Sequence, residues 1–355
     1  MNRFSSHANR KVRSGPWRIT FDTNPDLCNI NCVMCEVHSN LQDEENRSKE
    51  HGRKSRVMDP MIIRSVVESA VPVGLREIIP STMGEPLLYP WFHEFIDLAH
   101  EYDVKLNLTT NGTFPGIGIS KWAELLLPIV SDIKISINGA TSGVNESIMQ
   151  GIEHDTQLMN IREMVRFRDI HRTPGAERPS ISFQVTYMRQ NIHELPYLLK
   201  LAISLGIDRF KGHHIWVTWS DLESESLRRR TTDIESWNHM VDELYHIAEN
   251  YSLPGGGRIV LENVHKLPIN GNENAVPNDW TCPFGGKEAW IAWDGTLNVC
   301  CSPDELRRSL GHFGNVIEHQ FVDLWMSSQY DSFVQNCGSY HVCKKCNMRK
   351  PAKPR

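Results

Sequence analysis

The placing of nine cysteines constrains this chain more than any other feature of its sequence. Three stand at Cys28, Cys32 and Cys35. No other follows until the C-terminal end, where Cys282, Cys300, Cys301, Cys337, Cys343 and Cys346 crowd together. Cysteines used only as small apolar core residues would scatter along the chain. Two clusters flanking a long cysteine-free body mark two inorganic sites on either side of a scaffold. Disulfides are the other use of so many thiols, but they belong to oxidising compartments. The first twenty residues, MNRFSSHANRKVRSGPWRIT, hold no apolar core for a secretory signal. No stretch approaches the length of apolar residues that spans a membrane. A cytoplasmic protein without membrane contact is expected. Two zinc knuckles are the alternative reading of the same spacings.

The cysteine-free body must then supply the scaffold. Hydrophobic residues make up 40% of the 355 and charged residues 23%, which excludes disordered, collagen-like and coiled-coil chains. The net charge of −5 argues against a nucleic-acid partner. Residues 1–16 are polar and basic and read as a flexible arm. Trp17–Thr23 alternates apolar and polar residues, as a strand does. The mixed-charge run Gln42–Arg56 reads as a solvated loop, and Asp59-Pro60 opens a helix. Strand-like segments then recur at Glu77–Pro80, Lys105–Thr109, Asp132–Ile137, Ser180–Thr186 and Asp208–Lys211. Amphipathic stretches lie between or after them at Trp91–Tyr102, Ser120–Leu127, Gln157–His171, His193–Leu205 and Trp237–Tyr251. This alternation predicts an α/β fold of parallel strands joined by helical crossovers. Six such strands suit a partial barrel or an open doubly wound sheet, and the pattern leaves both open. The composition changes near Val276-Pro277, which divides a 17–275 body from a 276–355 cysteine-rich domain.

Cys28-x3-Cys32-x2-Cys35 directly follows the first strand, at the carboxyl end where parallel α/β scaffolds keep their active sites. Three thiolates in so short a loop can each hold one iron of a [4Fe–4S] cluster, leaving the fourth iron open. A structural site would call for a fourth ligand. His38 is the candidate, and it would make a Cys3His zinc site. The loop resembles the signature of the radical S-adenosylmethionine (SAM) superfamily. Met34 occupies the position where that family places a bulky residue beside the adenine. Ser81-Thr82-Met83-Gly84-Glu85-Pro86 is similar to the family's G-G-E-P segment, which receives the methionine amino group, with Met83 replacing the first glycine. Gly84, Glu85 and Pro86 are thereby SAM-binding candidates. Backbone carbonyls are expected to carry much of that contact, so loss of the Glu85 side chain should be milder than loss of a cysteine. NLTTNG (107–112) and KISIN (134–138) resemble the strand ends that meet the ribose and carboxylate of SAM, with Ser136 and Asn138 in that role. Strand-end caps or turns are the alternative use of these polar residues. The resemblance implies a partial (β/α)6 TIM-type barrel and two cofactors, SAM and a [4Fe–4S] cluster with three cysteine ligands. It also implies an electron donor such as flavodoxin or ferredoxin. The implied activity is reductive cleavage of SAM to a 5′-deoxyadenosyl radical that takes hydrogen from a substrate.

In the tail, Cys282 precedes a hairpin (Trp290–Trp293, an Asp294-Gly295 turn, Leu297–Val299) that leads to Cys300, and Cys343-x2-Cys346 forms a knuckle. This resembles the SPASM/twitch extensions of the superfamily, which carry auxiliary [4Fe–4S] clusters. The resemblance implies one auxiliary cluster on Cys282, Cys300, Cys343 and Cys346, because the two-cluster pattern needs seven cysteines and six are present. Cys301 is expected on the opposite strand face from Cys300, and Cys337 is an alternative ligand. Ahead of the tail, the Lys211–Trp216 segment (KGHHIW) offers His213 and His214 as acid/base or substrate-binding residues. Core packing of one ring and solvation of the other is the alternative. The expected function is oxidation or other modification of a small molecule with help from the auxiliary cluster. Maturation of a ribosomally made peptide is the alternative, disfavoured because about sixteen residues before the first strand are too few for a leader-binding domain. A non-catalytic zinc- or cluster-bearing regulatory or RNA-binding protein is the reading from another class. It would use the basic end of the chain, Lys344 to Arg355.

Overall fold

The computed structural model describes residues 14–41, 55–81, 83–170, 177–269 and 275–352. Most of the expected arm, the core of the mixed-charge run (42–54), Thr82, Lys353 and Arg355 lie outside the described residues. Strand β1 (Arg18–Phe21) and a two-residue β2 (Asn31–Cys32) precede helix α1 (Pro60–Ala70). The Asp59 carboxylate caps α1 by accepting from the Met61 N–H at 2.9 Å, and Pro60 fills its first turn. The chain continues through β3 (Glu77–Ile79), α2 (His93–Tyr102), β4 (Lys105–Thr110), α3 (Gly118–Leu126) and β5 (Val130–Ser136). Helix α4 (Ser142–Ile148), β6 (Met149–Gln150) and α5 (His154–Ile170) lead to β7 (Ser180–Tyr187), α6 (Leu195–Leu205) and β8 (Arg209–His214).

Strands β1, β3, β4, β5, β7 and β8 lie side by side in that order, all parallel. Each pairs with its predecessor in the sheet, so the order never reverses. A doubly wound sheet requires such a reversal, and the structure therefore takes the partial (β/α)6 barrel. Along the strands, Ile19, Phe21, Leu106, Leu108, Ile133, Ile135, Phe183 and Phe210 are buried in the main hydrophobic core. The alternate positions turn polar side chains into the lumen.

Two additions at the edges were not expected. After α7 (Thr231–Asn250), β9 (Val260–Glu262) pairs in parallel with β8. At the other edge β10 (Glu288–Ile291), the first arm of the tail hairpin, pairs in parallel with β1 and antiparallel with β11 (Leu297–Asn298). The hairpin thus continues the barrel sheet. Arg18 fixes it there: its guanidinium donates to Glu77 at 2.7 Å and to Glu288 at 3.1 Å, joining β1, β3 and β10. Asn107 and Ser131 complete the shell of Glu77 at 2.7 and 2.8 Å. Removing one partner of such a buried set costs roughly 3–5 kcal/mol, so this contact tethers the tail firmly to the barrel floor. Among the described residues, no helix is long and apolar enough to cross a membrane.

Candidate active site

The loop of residues 24–39 is shaped by its own backbone. Cys32 of β2 pairs with Met149 of β6, the Cys35 N–H donates to the Cys32 carbonyl at 3.0 Å, and the His38 N–H donates to Cys35 Sγ at 3.3 Å. The three half-buried thiols line one cavity of about 1890 Å³. Burial pushes Cys28 up to about 11 and raises Cys32 and Cys35 as well. Ligation needs the thiolate, so metal binding at these cysteines displaces protons. The His38 ring is held by its Nε2, 2.8 Å from the Pro25 carbonyl. Among the described residues, no three His, Cys, Asp and Glu side chains close round one point, as a single metal ion requires. Three sulfurs spaced round a cavity wall suit a cube, which takes each sulfur on a different iron.

The 81–86 segment lies against this loop, and Gly84 permits the approach. Its φ is +76°, and a Cβ there would stand 2.2 Å from the Asn24 carbonyl oxygen and 2.8 Å from that of Leu27. Asn24 Nδ2 donates to the Glu85 carbonyl, and the Glu85 N–H to the Leu27 carbonyl, each at 2.8 Å. The Glu85 side chain has more to do than the family resemblance suggested. Its buried carboxylate accepts from Thr110 Oγ1 and the Asn111 N–H, both at 2.8 Å, and from the Leu87 N–H at 3.3 Å. Burial still raises it to about 7. Glu85→Ala leaves three donors unmatched, and we expect a loss on the order of 3 kcal/mol, read as a lower urea midpoint together with weaker SAM binding. An unchanged midpoint would show that this network holds nothing. Pro86 opens a short 3₁₀ turn and is buried away from the cavity.

Met34, Gly84, Glu85, Ser136 and Asn138 all reach the same cavity as the three cysteines. Ser136 turns a hydroxyl to the lumen, while the Asn138 side-chain oxygen accepts from the Thr186 N–H at 2.8 Å. The two histidines part company. His213 lines the cavity with Nδ1 3.4 Å from Gln184 Nε2, and burial lowers it to about 4, so its ring is neutral near pH 7. His214 does not line this cavity. It points the other way from β8, packed edge-on against Tyr187 and Trp237 at 5.7 and 4.6 Å. The sequence analysis missed Lys134, Gln184, Thr186 and His265, which also line the cavity. Strand alternation around Ser136 and His213 was the available signal for the first three; His265 left none.

The far wall of the cavity includes Cys282 and Cys301. Strand β11 ends at Asn298, so Cys300 and Cys301 lie beyond it and the opposite-face expectation does not apply. The Cys300 sulfur is 3.4 Å from the Ser302 hydroxyl and accepts from the Ser302 N–H at 3.5 Å. Cys337 stands among the expected ligands, close enough to Cys282 and Cys343 for their sulfurs to act on its thiol. Arg349 anchors the knuckle by donating to the carbonyls of Trp280 at 2.9 Å and Cys343 at 3.2 Å. It is 4% exposed and so takes no part in a basic surface.

The model of the radical SAM superfamily matches residues 25–173, from the cysteine loop through α5, and the SPASM iron–sulfur cluster-binding domain matches residues 282–347. The chain belongs to the radical SAM superfamily. This radical SAM chain is similar to the tungsten-containing aldehyde ferredoxin oxidoreductase cofactor-modifying protein of Pyrococcus furiosus. The two are 24% identical over 337 residues, 91% of this chain and 85% of that protein. It is also similar to the PqqA peptide cyclase of Methylobacterium nodulans, 22% identical over 325 residues, 91% of this chain and 76% of that protein. Its fold matches that of Streptococcus suis SuiB bound to S-adenosylmethionine, with a TM-score of 0.63 at 17% identity, covering 94% of this chain and 72% of that one. The chain is thus a radical SAM enzyme with a SPASM-type domain. Its cofactors are SAM, a SAM-binding [4Fe–4S] cluster and an auxiliary [4Fe–4S] cluster.

Proposed function

We propose that this radical SAM enzyme oxidatively modifies a peptide segment held in the barrel lumen between its two cysteine sites. The observation that carries this reading is the size and course of the cavity. At about 1890 Å³ it runs from Cys28, Cys32 and Cys35 to Cys282 and Cys301. Sites for small molecules occupy roughly 300–1,000 Å³, so this one has room for an extended chain beside SAM. The similarity to a peptide cyclase supports the same choice. The preference for a small substrate rested only on the short segment before β1, and the cavity outweighs it.

In this reading Cys28, Cys32 and Cys35 hold the SAM-binding cluster. When bound, cluster and SAM supply a 5′-deoxyadenosyl radical by one-electron reductive cleavage. The backbone around Gly84 would receive the methionine amino group, Ser136 and Asn138 would meet the ribose and carboxylate, and Met34 would lie beside the adenine. His213, neutral and facing the lumen, accepts the proton that the oxidised substrate sheds. Cys282, Cys300, Cys343 and Cys346 hold the auxiliary cluster close enough to the cavity to take the second electron, which would make the enzyme an oxidoreductase. Nine cysteines without a disulfide support a cytoplasmic setting with flavodoxin or ferredoxin as donor.

The test is anaerobic. Reconstituted enzyme with dithionite and SAM is given a panel of deuterated peptides and, separately, deuterated polyols and amino acids. Transfer of deuterium from a peptide into 5′-deoxyadenosine, with loss of two hydrogens from the peptide mass, is expected. Transfer from the small molecules alone would overturn the peptide reading.

A further inference from the structure

One side chain in the lumen has no part in the chemistry above. Lys134 lies on β5 two residues before Ser136, so it projects into the same cavity about 7 Å deeper along the strand. It is 8% exposed, and its ammonium makes no ion pair or hydrogen bond with a described residue. The carboxylates that face it are matched elsewhere. Glu77 and Glu288 share Arg18; Asp132 accepts from the hydroxyls of Ser180 and Ser182 at 2.8 and 2.7 Å. Glu262 pairs with Arg209 at 3.2 Å and with Lys211 at 3.6 Å. Lys134 therefore meets the cavity with a second cation nearby and, among the described residues, no carboxylate at ion-pair distance, Asp132 and Glu77 acting on it only from farther off. Burial, and then Lys211, pull it down to about 7. An unpaired buried ammonium is costly to keep, and the cost is relieved when an anion enters the lumen.

We propose that Lys134, with Lys211 behind it, anchors a carboxylate of the substrate below the level at which SAM binds. This rests on the preceding reading only in taking the lumen as the substrate site. The carboxylate could belong to an acidic residue of a peptide or to a small organic acid, and the chemistry of recognition is the same.

The test reads binding, not turnover. SAM-loaded holoenzyme is titrated calorimetrically with acetyl-Gly-Glu-Gly-amide, its Gln counterpart, and glutarate. Wild-type enzyme should favour the Glu peptide over the Gln peptide by at least about tenfold, the usual consequence of one desolvated charge pair. Lys134→Met should abolish that preference and Lys134→Arg should retain part of it. The melting temperature of Lys134→Met should hold or rise, because an unpaired buried charge has been removed. Tighter binding of the Glu peptide than of glutarate assigns the carboxylate to a peptide, and the reverse assigns it to a small acid. Equal binding of the Glu and Gln peptides by wild-type enzyme would overturn the proposal, as would a preference that survives in Lys134→Met. So would a lowered melting temperature, which would make Lys134 structural. Failure of the deuterium experiment would leave these binding results intact, so the two proposals fail separately.

Discussion

A Cys32→Ala protein, reconstituted anaerobically with iron and sulfide, is expected to form 5′-deoxyadenosine no faster than the background without enzyme. Its fold should survive. Cys32 contributes to β2 through its backbone pairing with Met149, which alanine keeps. The loop also rests on a small apolar cluster of its own, including Ile30, Val33, Ile148, Met149 and Ile215. The substitution therefore removes one sulfur and little else. With only two thiolates left, the loop can no longer hold three irons of a cube, and the site that orients SAM is lost. Chromatography of the quenched reaction measures the product, and a melting curve reports the fold. Product at the wild-type rate would show that this loop does not hold the cluster.

Much of the barrel was legible because its strands alternate and its helices carry apolar stripes, the first of them with a clear cap. DIKISI announced β5 to within two residues, and Asp59-Pro60 marked the start of α1. The edges were not legible. Strand β9 is three residues long with Val260 half exposed, and nothing so short stands out from a loop. The parallel pairing of β10 with β1 joins residues 270 positions apart, and EAWI names no partner. For the site, residue type alone was a poor guide and register a good one. His213 and His214 look equivalent in sequence. Once Lys211 is known to face the lumen, alternation sends His213 after it and His214 with Phe210 to the helices. The same rule places Lys134 with Ser136 and Asn138 on one face. Cys300 and Cys301 misled for the converse reason, since alternation was applied to residues lying beyond the end of β11.

The tail cysteines set the second large effect. A variant with Cys28, Cys32 and Cys35 all changed to Ala should retain about four irons per chain after anaerobic reconstitution, those of one auxiliary cube. Six thiols are available for four places. The chain brings two of the expected ligands, Cys282 and Cys300, to either end of the β10–β11 hairpin, and two more, Cys343 and Cys346, from one short helical turn (His341–Lys344) and the residues after it. Cys337 lies near Cys282 and Cys343, and Gly285 leaves room for it: a Cβ there would stand 3.0 Å from its sulfur and 3.9 Å from that of Cys282. We read Cys337 as a thiol that supports two ligands, and hydrogen bonds to cluster sulfurs shift potential without changing composition. Adding Cys346→Ala to the triple variant should therefore lower the iron from about four per chain to near zero. Adding Cys337→Ala should leave the iron in place and move the reduction potential. The opposite pattern, with iron lost on changing Cys337 and kept on changing Cys346, would make Cys337 the fourth ligand. Retention of about eight irons in the triple variant would mean two tail clusters, and zinc in place of iron would mean a structural site.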